Sequence, residues 1–307
     1  AIRRGPLAPP ESATEVFAVD ALNNPPTTPG HQSGFPVDMY LSRRTDNTVG
    51  HFAFDRLRGD KYLQTSDSDA EANDTAYLDY MDGTGPAGNI TTLYAWMWKR
   101  APSFFDVVAY TGNGVFNRNV NHSLQATPEL IIVKNRDLSY DWSVYSDPVG
   151  FGRYIRLNTS AAEASDGGGI WGNASGHSTT TFQLGASGNV NDSGNNYIAY
   201  LFATLAGISK VGSYTGNGSS QTIDCGFTTG ARFILIKRTD STGDWYVWDT
   251  ARGVVAGNDP HLSLNTTAAE VTSDDSIDPD NSGFIVNQIA ATNINVSSAS
   301  YIFYAIA

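Results

Sequence analysis

The chain has 307 residues, which is enough for one large domain or for two to three domains of ordinary size. Its hydrophobic content of 40% and charged content of 16% indicate a globular protein and exclude a disordered one. The net charge of −12 argues against nucleic acid or an anionic membrane surface as a partner, because both attract clustered lysine and arginine. No apolar stretch is long enough to cross a bilayer, and the single Cys225 excludes an internal disulfide.

The first recurring segment, residues 41–59, aligns without gaps with residues 235–253 near the end of the chain. Both segments contain an Asp-x-x-Arg-Gly turn, which begins at Asp55 in the first and at Asp249 in the second. The favoured interpretation of each aspartate is a local side-chain to backbone hydrogen bond. An apolar aromatic run at residues 93–98 ends this first copy.

The turn YTGNG occurs twice, at residues 110–114 and 214–218, and begins a second and a third copy of the repeat. Each copy continues with an apolar strand and ends in a run such as YIAYLF or YIFYAI. The repeat is about 100 residues long, the ordinary size of a β-sandwich. The sequence therefore predicts three modules: module 1 at residues 1–103 with an extended N-terminal segment, module 2 at 104–208 and module 3 at 209–307.

The apolar runs are short, rich in β-branched and aromatic residues, and bounded by Gly, Asn, Ser, Thr and Asp, which is typical of strands. No window of useful length has helical spacing. The predicted fold class is all-β, with three tandem antiparallel β-sandwich modules. Because residues 245–248 are large on both faces of the strand, we expect one face in the module's own core and the other under a loop or a neighbouring module. Short linkers imply modules that touch.

One basic residue closes an otherwise apolar strand in each module, and one glutamate recurs further along. The basic residues are Arg43, Lys134 and Lys237, and the glutamates are Glu71, Glu163 and Glu270. Because an unpaired charge is costly to bury, we expect the two positions to form structural charge pairs within each module or at the edge of the next one.

The sequence contains no strong motif for catalysis or for binding a metal or phosphate group. The five histidines lack zinc spacing, Cys225 has no nearby histidine in sequence, and neither a nucleophile elbow nor a phosphate loop is present. We therefore expect no enzyme and no cofactor. The acidic segments 66–74 and 273–283 offer the oxygen ligands that calcium needs, but they lack EF-hand spacing, and solvated acidic loops are the favoured alternative.

Two kinds of tryptophan position stand out. Trp142 and Trp245 occupy one position in two modules, with His51 in the first, and packing in a core or between modules is favoured over a sugar platform. Trp171 instead lies alone in a glycine-rich loop, residues 166–176. It is the best single candidate for an exposed surface contact, with packing back onto its own module as the alternative.

The stretches RAPSFFDVVAYTGNG, PELIIVKNRD and ARFILIKRTDSTGDWYVWDTARG carry a resemblance to a known family. The chain resembles tandem-repeat virion proteins of tailed bacteriophages, which are common among phages of marine bacteria. The similarity covers nearly the whole chain from Gly34 onward. In that family the same modules often follow a lectin-like domain in a longer polypeptide, in keeping with the methionine-free start here.

The resemblance implies a non-enzymatic fibre, tail or capsid-surface protein located in the virion and assembled in the host cytoplasm. Its implied partners are other virion proteins and copies of itself, with a symmetric homo-oligomer such as a trimer as the expected form. Two alternatives stay open. A host-surface or glycan-binding module of a fibre or spike is compatible with the first class, whereas a hydrolase has no acid pair or triad to support it.

Overall fold

A computed structural model describes residues 8–22, 27–74, 78, 80–85, 88, 90–173 and 176–307. Within these residues the chain consists of antiparallel strands, and helix is limited to one 3-10 turn, Ala13–Glu15. No helix in this described part is both long enough and apolar enough to span a membrane. The predicted all-β class, with several β-sandwich-like modules, is confirmed.

The described part of module 1 forms a six-stranded main sheet in the order β1-β8-β3-β4-β5-β6 and a small sheet of β2 and β7. Its strands are β1 (Phe17–Ala21), β2 (His31–Gln32), β3 (Met39–Arg44), β4 (Phe52–Asp55), β5 (Lys61–Gln64), β6 (Ala72–Asn73), β7 (Gly83–Thr84) and β8 (Leu93–Trp98).

Module 2 repeats this arrangement, with a main sheet in the order β14-β13-β12-β11-β16-β9 and a small sheet of β10 and β15. Its strands are β9 (Phe105–Thr111), β10 (Arg118–Asn121), β11 (Leu130–Asn135), β12 (Ser143–Ser146), β13 (Arg153–Arg156), β14 (Ala164–Ser165), β15 (Thr181–Leu184) and β16 (Asn196–Phe202).

Module 3 has a main sheet in the order β17-β24-β19-β20-β21 and a small sheet in the order β18-β23-β22. Its strands are β17 (Ser209–Thr215), β18 (Gln221–Asp224), β19 (Phe233–Arg238), β20 (Trp245–Asp249), β21 (Leu262–Ser263), β22 (Ile277–Asp280), β23 (Gly283–Val286) and β24 (Ser300–Ile306). The final strand β24 is paired on both sides, with β17 and with β19.

Each main sheet takes all its strands from one of the three repeat ranges, and the order of five strands is the same in each; the sheets of modules 1 and 2 have a sixth strand. The opening strand pairs with the closing strand in every copy: β1 with β8, β9 with β16 and β17 with β24. Module 1 therefore has an opening strand even though it lacks the YTGNG turn that follows this strand in the other two copies.

The repeated YTGNG turn owes its residues to close packing. Tyr110 stacks on Tyr197 with ring centroids 5.2 Å apart, and Tyr214 stacks on Tyr301 at 4.8 Å. At Gly112 a Cβ atom would lie 2.0 Å from a backbone oxygen, a distance that no side chain tolerates. The turn therefore has a structural role: its residues pack the opening strand against the closing strand.

The central strands are buried on both faces. In β11, Ile131 and Val133 face the core between the main and small sheets of module 2. Leu130 and Ile132 point the other way, into a second core that also contains residues of modules 1 and 3. This double burial explains why the strand is apolar without alternation.

The three main sheets meet in this shared core. Trp98 of module 1 contacts Phe202 of module 2 and Phe233 of module 3, with ring centroids 6.4 and 5.6 Å apart. Phe202 in turn contacts Tyr304 of module 3 at 4.9 Å. An apolar cavity of about 40 Å³ lies among residues of all three sheets. Each module therefore packs against both of the others.

Because the three modules share one core, we expect them to unfold cooperatively. Ile132→Ala should lower the free energy of unfolding by about 2–5 kcal/mol, because it enlarges the cavity where the sheets meet. Loss of this packing should destabilise all three modules together, so chemical denaturation followed by tryptophan fluorescence and by circular dichroism should give one coincident transition.

Leu138→Ala is the matched control, because the Leu138 side chain is exposed and its loss should change stability by less than about 0.5 kcal/mol. Separate transitions, with only one of them shifted by Ile132→Ala, would show that the modules are stable independently.

Candidate functional site

The contacts between modules are the most elaborate polar sites of the described structure. At each one, the backbone N–H of the recurring glutamate donates to a carbonyl oxygen of the next module. The bonds run from Glu71 to Arg136 at 2.8 Å (interface 1–2), from Glu163 to Thr239 at 2.9 Å (interface 2–3) and from Glu270 to Thr45 at 3.2 Å (interface 3–1). The three interfaces close a ring.

The recurring tryptophan position serves these interfaces. The Trp142 indole N–H donates to the Gln64 carbonyl oxygen of module 1 at 2.9 Å, and that of Trp245 donates to the Arg156 carbonyl oxygen of module 2 at 2.8 Å. Packing in a core or between modules, the favoured interpretation of these side chains, is confirmed, and both indoles contact the neighbouring module. His51 is likewise buried, 5.6 Å from the Trp96 ring, but neither of its ring nitrogens has a hydrogen-bond partner among the described residues.

The three recurring basic residues are buried and donate to carbonyl oxygens. Lys237 Nζ donates to Ser160 at 3.0 Å and to Gly243 at 2.5 Å, and Lys134 Nζ donates to Asn135 at 2.7 Å. The Arg43 guanidinium donates to the carbonyl oxygens of Thr266 and Ala268, across interface 3–1. Each basic residue lies on the strand face that also bears the apolar residues of the shared core. Its charged group is therefore located near the contact with a neighbouring module.

The charge pairs expected from the sequence need correction. Each glutamate docks its backbone two residues beyond the basic residue of the next module, but its carboxylate pairs with a different residue. The observed ion pairs are Glu71 with Arg136, Glu163 with Arg153, and Glu270 with Arg252. Loop carbonyl oxygens accept from the buried cations, and the three carboxylates pair with other arginines.

The Asp-x-x-Arg-Gly turns do more than close a loop. Asp55 Oδ1 accepts hydrogen bonds from the N–H groups of Leu57 and Arg58, which confirms the local interpretation. Asp55 Oδ2 also pairs with Arg58 Nε at 2.5 Å and accepts from the Tyr200 hydroxyl of module 2 at 2.8 Å. The contact between this fully buried ion pair and Tyr200, at interface 1–2, has no sequence signal, because Tyr200 is distant in the chain.

Interface 3–1 repeats the arrangement, and interface 2–3 departs from it. Asp249 pairs with Arg252 at 2.6 Å and accepts from the Trp96 indole of module 1 at 2.9 Å. In module 2 the equivalent positions of the aspartate and the arginine hold Ser146 and Val149. Interface 2–3 therefore lacks the buried ion pair found at the other two.

Burial shifts the pKa values of the interface cations. It lowers the pKa of Lys237 to about 8, and that of Lys134 to about 8 despite the attraction of Asp67 and Asp69. Burial, together with the nearby Arg252, lowers the pKa of Arg43 to about 10. Burial also holds the pKa of His51 well below its ordinary value, with Arg43 and Arg252 acting in the same direction.

The prediction that Trp171 is an exposed contact is wrong. Its side chain is fully buried in the core of module 2, in edge contact with Tyr145 at 5.8 Å. The Asp166 carboxylate accepts hydrogen bonds from the N–H groups of Ile170 and Trp171 and turns the glycine-rich loop inward. The alternative of packing back onto its own module is the correct one.

Two adjacent apolar residues of module 2 are exposed, and one of them rests on that loop. Val115 and Phe116, directly after the YTGNG turn, are 56% and 46% exposed. Phe116 Cζ lies 3.3 Å from the position that a Cβ atom would take at Gly168, so the ring rests on the glycine-rich loop. Module 3 has Ser219 after its own turn, so this apolar tip is specific to module 2.

The two acidic segments that offered calcium ligands form local hydrogen bonds. Asp67 accepts from the side chain of Gln64, and the Asn287 side chain donates to both Asp275 and Asp278. Among the residues that the structure describes, no group of three or more His, Cys, Asp or Glu side chains could hold a metal ion.

The chain matches the model of one protein family over most of its length. Residues 27–307 match a family described as a domain of unknown function, DUF7483. The chain belongs to this family. No curated protein matches it. The family description supplies no activity, so the function has to be argued from geometry.

The buried lysines predict an unusual pH dependence of stability. Each amine has a pKa near 10.5 in the unfolded chain and about 8 in the folded chain. Between these values the unfolded chain binds more protons, so the contribution of each lysine to the free energy of unfolding should rise as the pH rises from 8 toward 10.5. Below pH 8 both states are protonated, and the cost of burying the charge applies in full.

Lys134→Met and Lys237→Met should each reduce the slope of unfolding free energy against pH, measured by urea denaturation from pH 8 to 10. The double variant should lose the sum of the two effects, because the lysines belong to different modules. Equal slopes of unfolding free energy against pH in the wild type and the double variant would contradict the assignment of this pH dependence to the two buried lysines.

Proposed function

We propose that this protein is a structural component of a bacteriophage virion, in a fibre, in the tail or on the capsid surface, and that it acts through subunit packing. The proposal rests on the resemblance of its repeats to tandem-repeat virion proteins and on one structural observation. That observation is the closed ring of three modules around a shared core.

A ring of this kind is suited to assembly. Because each main sheet is covered on both faces, the modules form one block whose outer surface is free to contact other subunits. Stable association would draw its free energy from buried interface, of roughly 1,200 Å² or more in total. The partners are other virion proteins and copies of this chain, in the virion after assembly in the host cytoplasm.

Mass spectrometry of purified particles tests the proposal. We expect the protein in virions of a phage that encodes it, in a copy number that is a small multiple of a symmetry order relative to the major capsid protein. A replication protein of the same phage is the control for contamination. Recovery only as a soluble protein absent from particles would overturn the proposal.

A second candidate function is recognition of a host-surface glycan. The observation that favours it is the apolar tip of Val115 and Phe116, since an exposed aromatic ring beside amide side chains suits the apolar face of a sugar. Asn117 and Asn173 lie beside the ring and are linked by a hydrogen bond of 2.9 Å.

A glycan array tests this candidate. The wild type should bind at least one surface glycan, and a variant with Val115→Ser and Phe116→Ser, which copies the serines of module 3, should lose that binding while keeping its thermal stability. An array without binding, or equal binding by the two proteins, would remove the candidate.

A further inference from the structure

The three equivalent glutamates at the module interfaces provide an internal comparison. Glu71 is held by Arg136 through two hydrogen bonds, of 2.8 and 3.0 Å, and Glu270 is held by the buried Arg252 at 2.8 Å. Among the described residues Glu163 forms one ion pair, with Arg153 at 3.4 Å, and half of the Arg153 side chain is exposed. The Glu163 side chain is 26% exposed, against 12% for Glu71 and 16% for Glu270.

The sequence explains this difference. The position of Arg136 in module 2 is taken by Thr239 in module 3, and the position of Arg252 in module 3 is taken by Val149 in module 2. Both arginines that could have reached Glu163 are therefore replaced by shorter side chains. Interface 2–3 has a glutamate in the same place as the other two interfaces, without the guanidinium that they supply.

A groove opens where these side chains are short. It has a volume of about 430 Å³, within the range of about 300–1,000 Å³ typical of ligand sites. The residues that define this groove 2–3 include Pro148, Val149, Glu163, Thr239, Asp240 and Ser300. Asp240 is already held by Arg238 through two hydrogen bonds, whereas Glu163 has its one ion pair at 3.4 Å and retains free acceptor positions, because an ionised carboxylate can accept about four hydrogen bonds.

A second groove of about 430 Å³ continues from the first along β17, and the two share Pro148, Ser213 and Tyr214. β17 is the terminal strand of the module 3 sheet. On its outer edge the Thr204 side chain bonds to Val211 and the Gln221 side chain donates to the Thr215 carbonyl oxygen, so an extended chain has the short stretch around Ser213 for pairing. Ser213, in the middle of β17, is exposed. The combined groove therefore suits a polypeptide segment better than a compact small molecule.

We propose that groove 2–3 binds an arginine side chain carried by an extended segment of a partner protein. Interface 1–2 shows that this type of site accepts a guanidinium in bidentate geometry, and lysine cannot reproduce that geometry. We assign the segment to another, basic protein, because a chain of net charge −12 attracts a basic partner. The inference stands on the interface geometry and is independent of the virion assignment.

The test uses the full chain and three short peptides. The probes are acetylated pentapeptide amides of the sequence Thr-Val-X-Val-Thr, in which X is arginine, lysine or citrulline. In calorimetric and NMR titrations the arginine peptide should bind and shift the resonances of Ser213 and Thr239. The lysine and citrulline peptides should bind at least about tenfold more weakly, because each lacks the charged bidentate donor.

Two variants and one control complete the test. Thr239→Arg should fill groove 2–3 from within and abolish binding of the arginine peptide, and Glu163→Gln should weaken it by about tenfold or more. Thr45→Arg makes the same substitution at the equivalent position of module 1 and should leave binding unchanged. Circular dichroism checks that each variant is folded, and Glu163→Gln keeps the test decisive if Thr239→Arg fails to fold.

Absence of binding by the wild type would overturn the inference. So would equal binding of the arginine and citrulline peptides, or an arginine peptide that binds Thr239→Arg and Glu163→Gln as well as the wild type.

Discussion

The structure depends on one constraint: the main sheet of each module is apolar on both faces. In β11 one row of side chains packs inside module 2, and the opposite row, Leu130 and Ile132, has no cover within that module. A module on its own would expose this row to water, at a cost of about 25 cal/mol for each Å² of apolar surface. Three modules remove the cost by turning these rows toward one another, and the chain thereby builds from internal repeats the closed arrangement that homotrimers build from separate subunits.

The same geometry accounts for the buried cations. Each apolar row ends in a basic residue, so Arg43, Lys134 and Lys237 are carried into the contacts between modules. A charge at such a place is costly unless hydrogen bonds compensate it. Carbonyl oxygens of nearby loops accept from both lysine amines and from the two terminal nitrogens of Arg43, whereas Arg43 Nε has no partner among the described residues. Burial away from water lowers the pKa of both lysine amines, so they lose their protons more easily than in water.

Local pattern and repetition were sufficient to predict much of the fold from the sequence. The strand runs, the repeat and a packing role for Trp142 follow from residue spacing that recurs within the chain. The orientation of Trp171 could not be predicted, because it depends on Asp166 capping two N–H groups in a glycine-rich loop. The partners of the glutamates could not be predicted either. They depend on which modules touch, and the contact between Glu270 and Thr45 joins the two ends of the chain.

The three interfaces are equivalent in position but differ in composition, and the ring explains how such a difference is tolerated. Once interfaces 1–2 and 3–1 have formed, modules 2 and 3 are already held beside each other, so interface 2–3 requires less stabilisation of its own. Buried ion pairs are present at the first two interfaces, whereas Ser146 and Val149 take their place at the third. Because interface 2–3 needs to contribute less to stability, it can contain an open groove with a partly exposed glutamate. A repeat protein can in this way keep two copies of a contact for stability and use the remaining copy for binding.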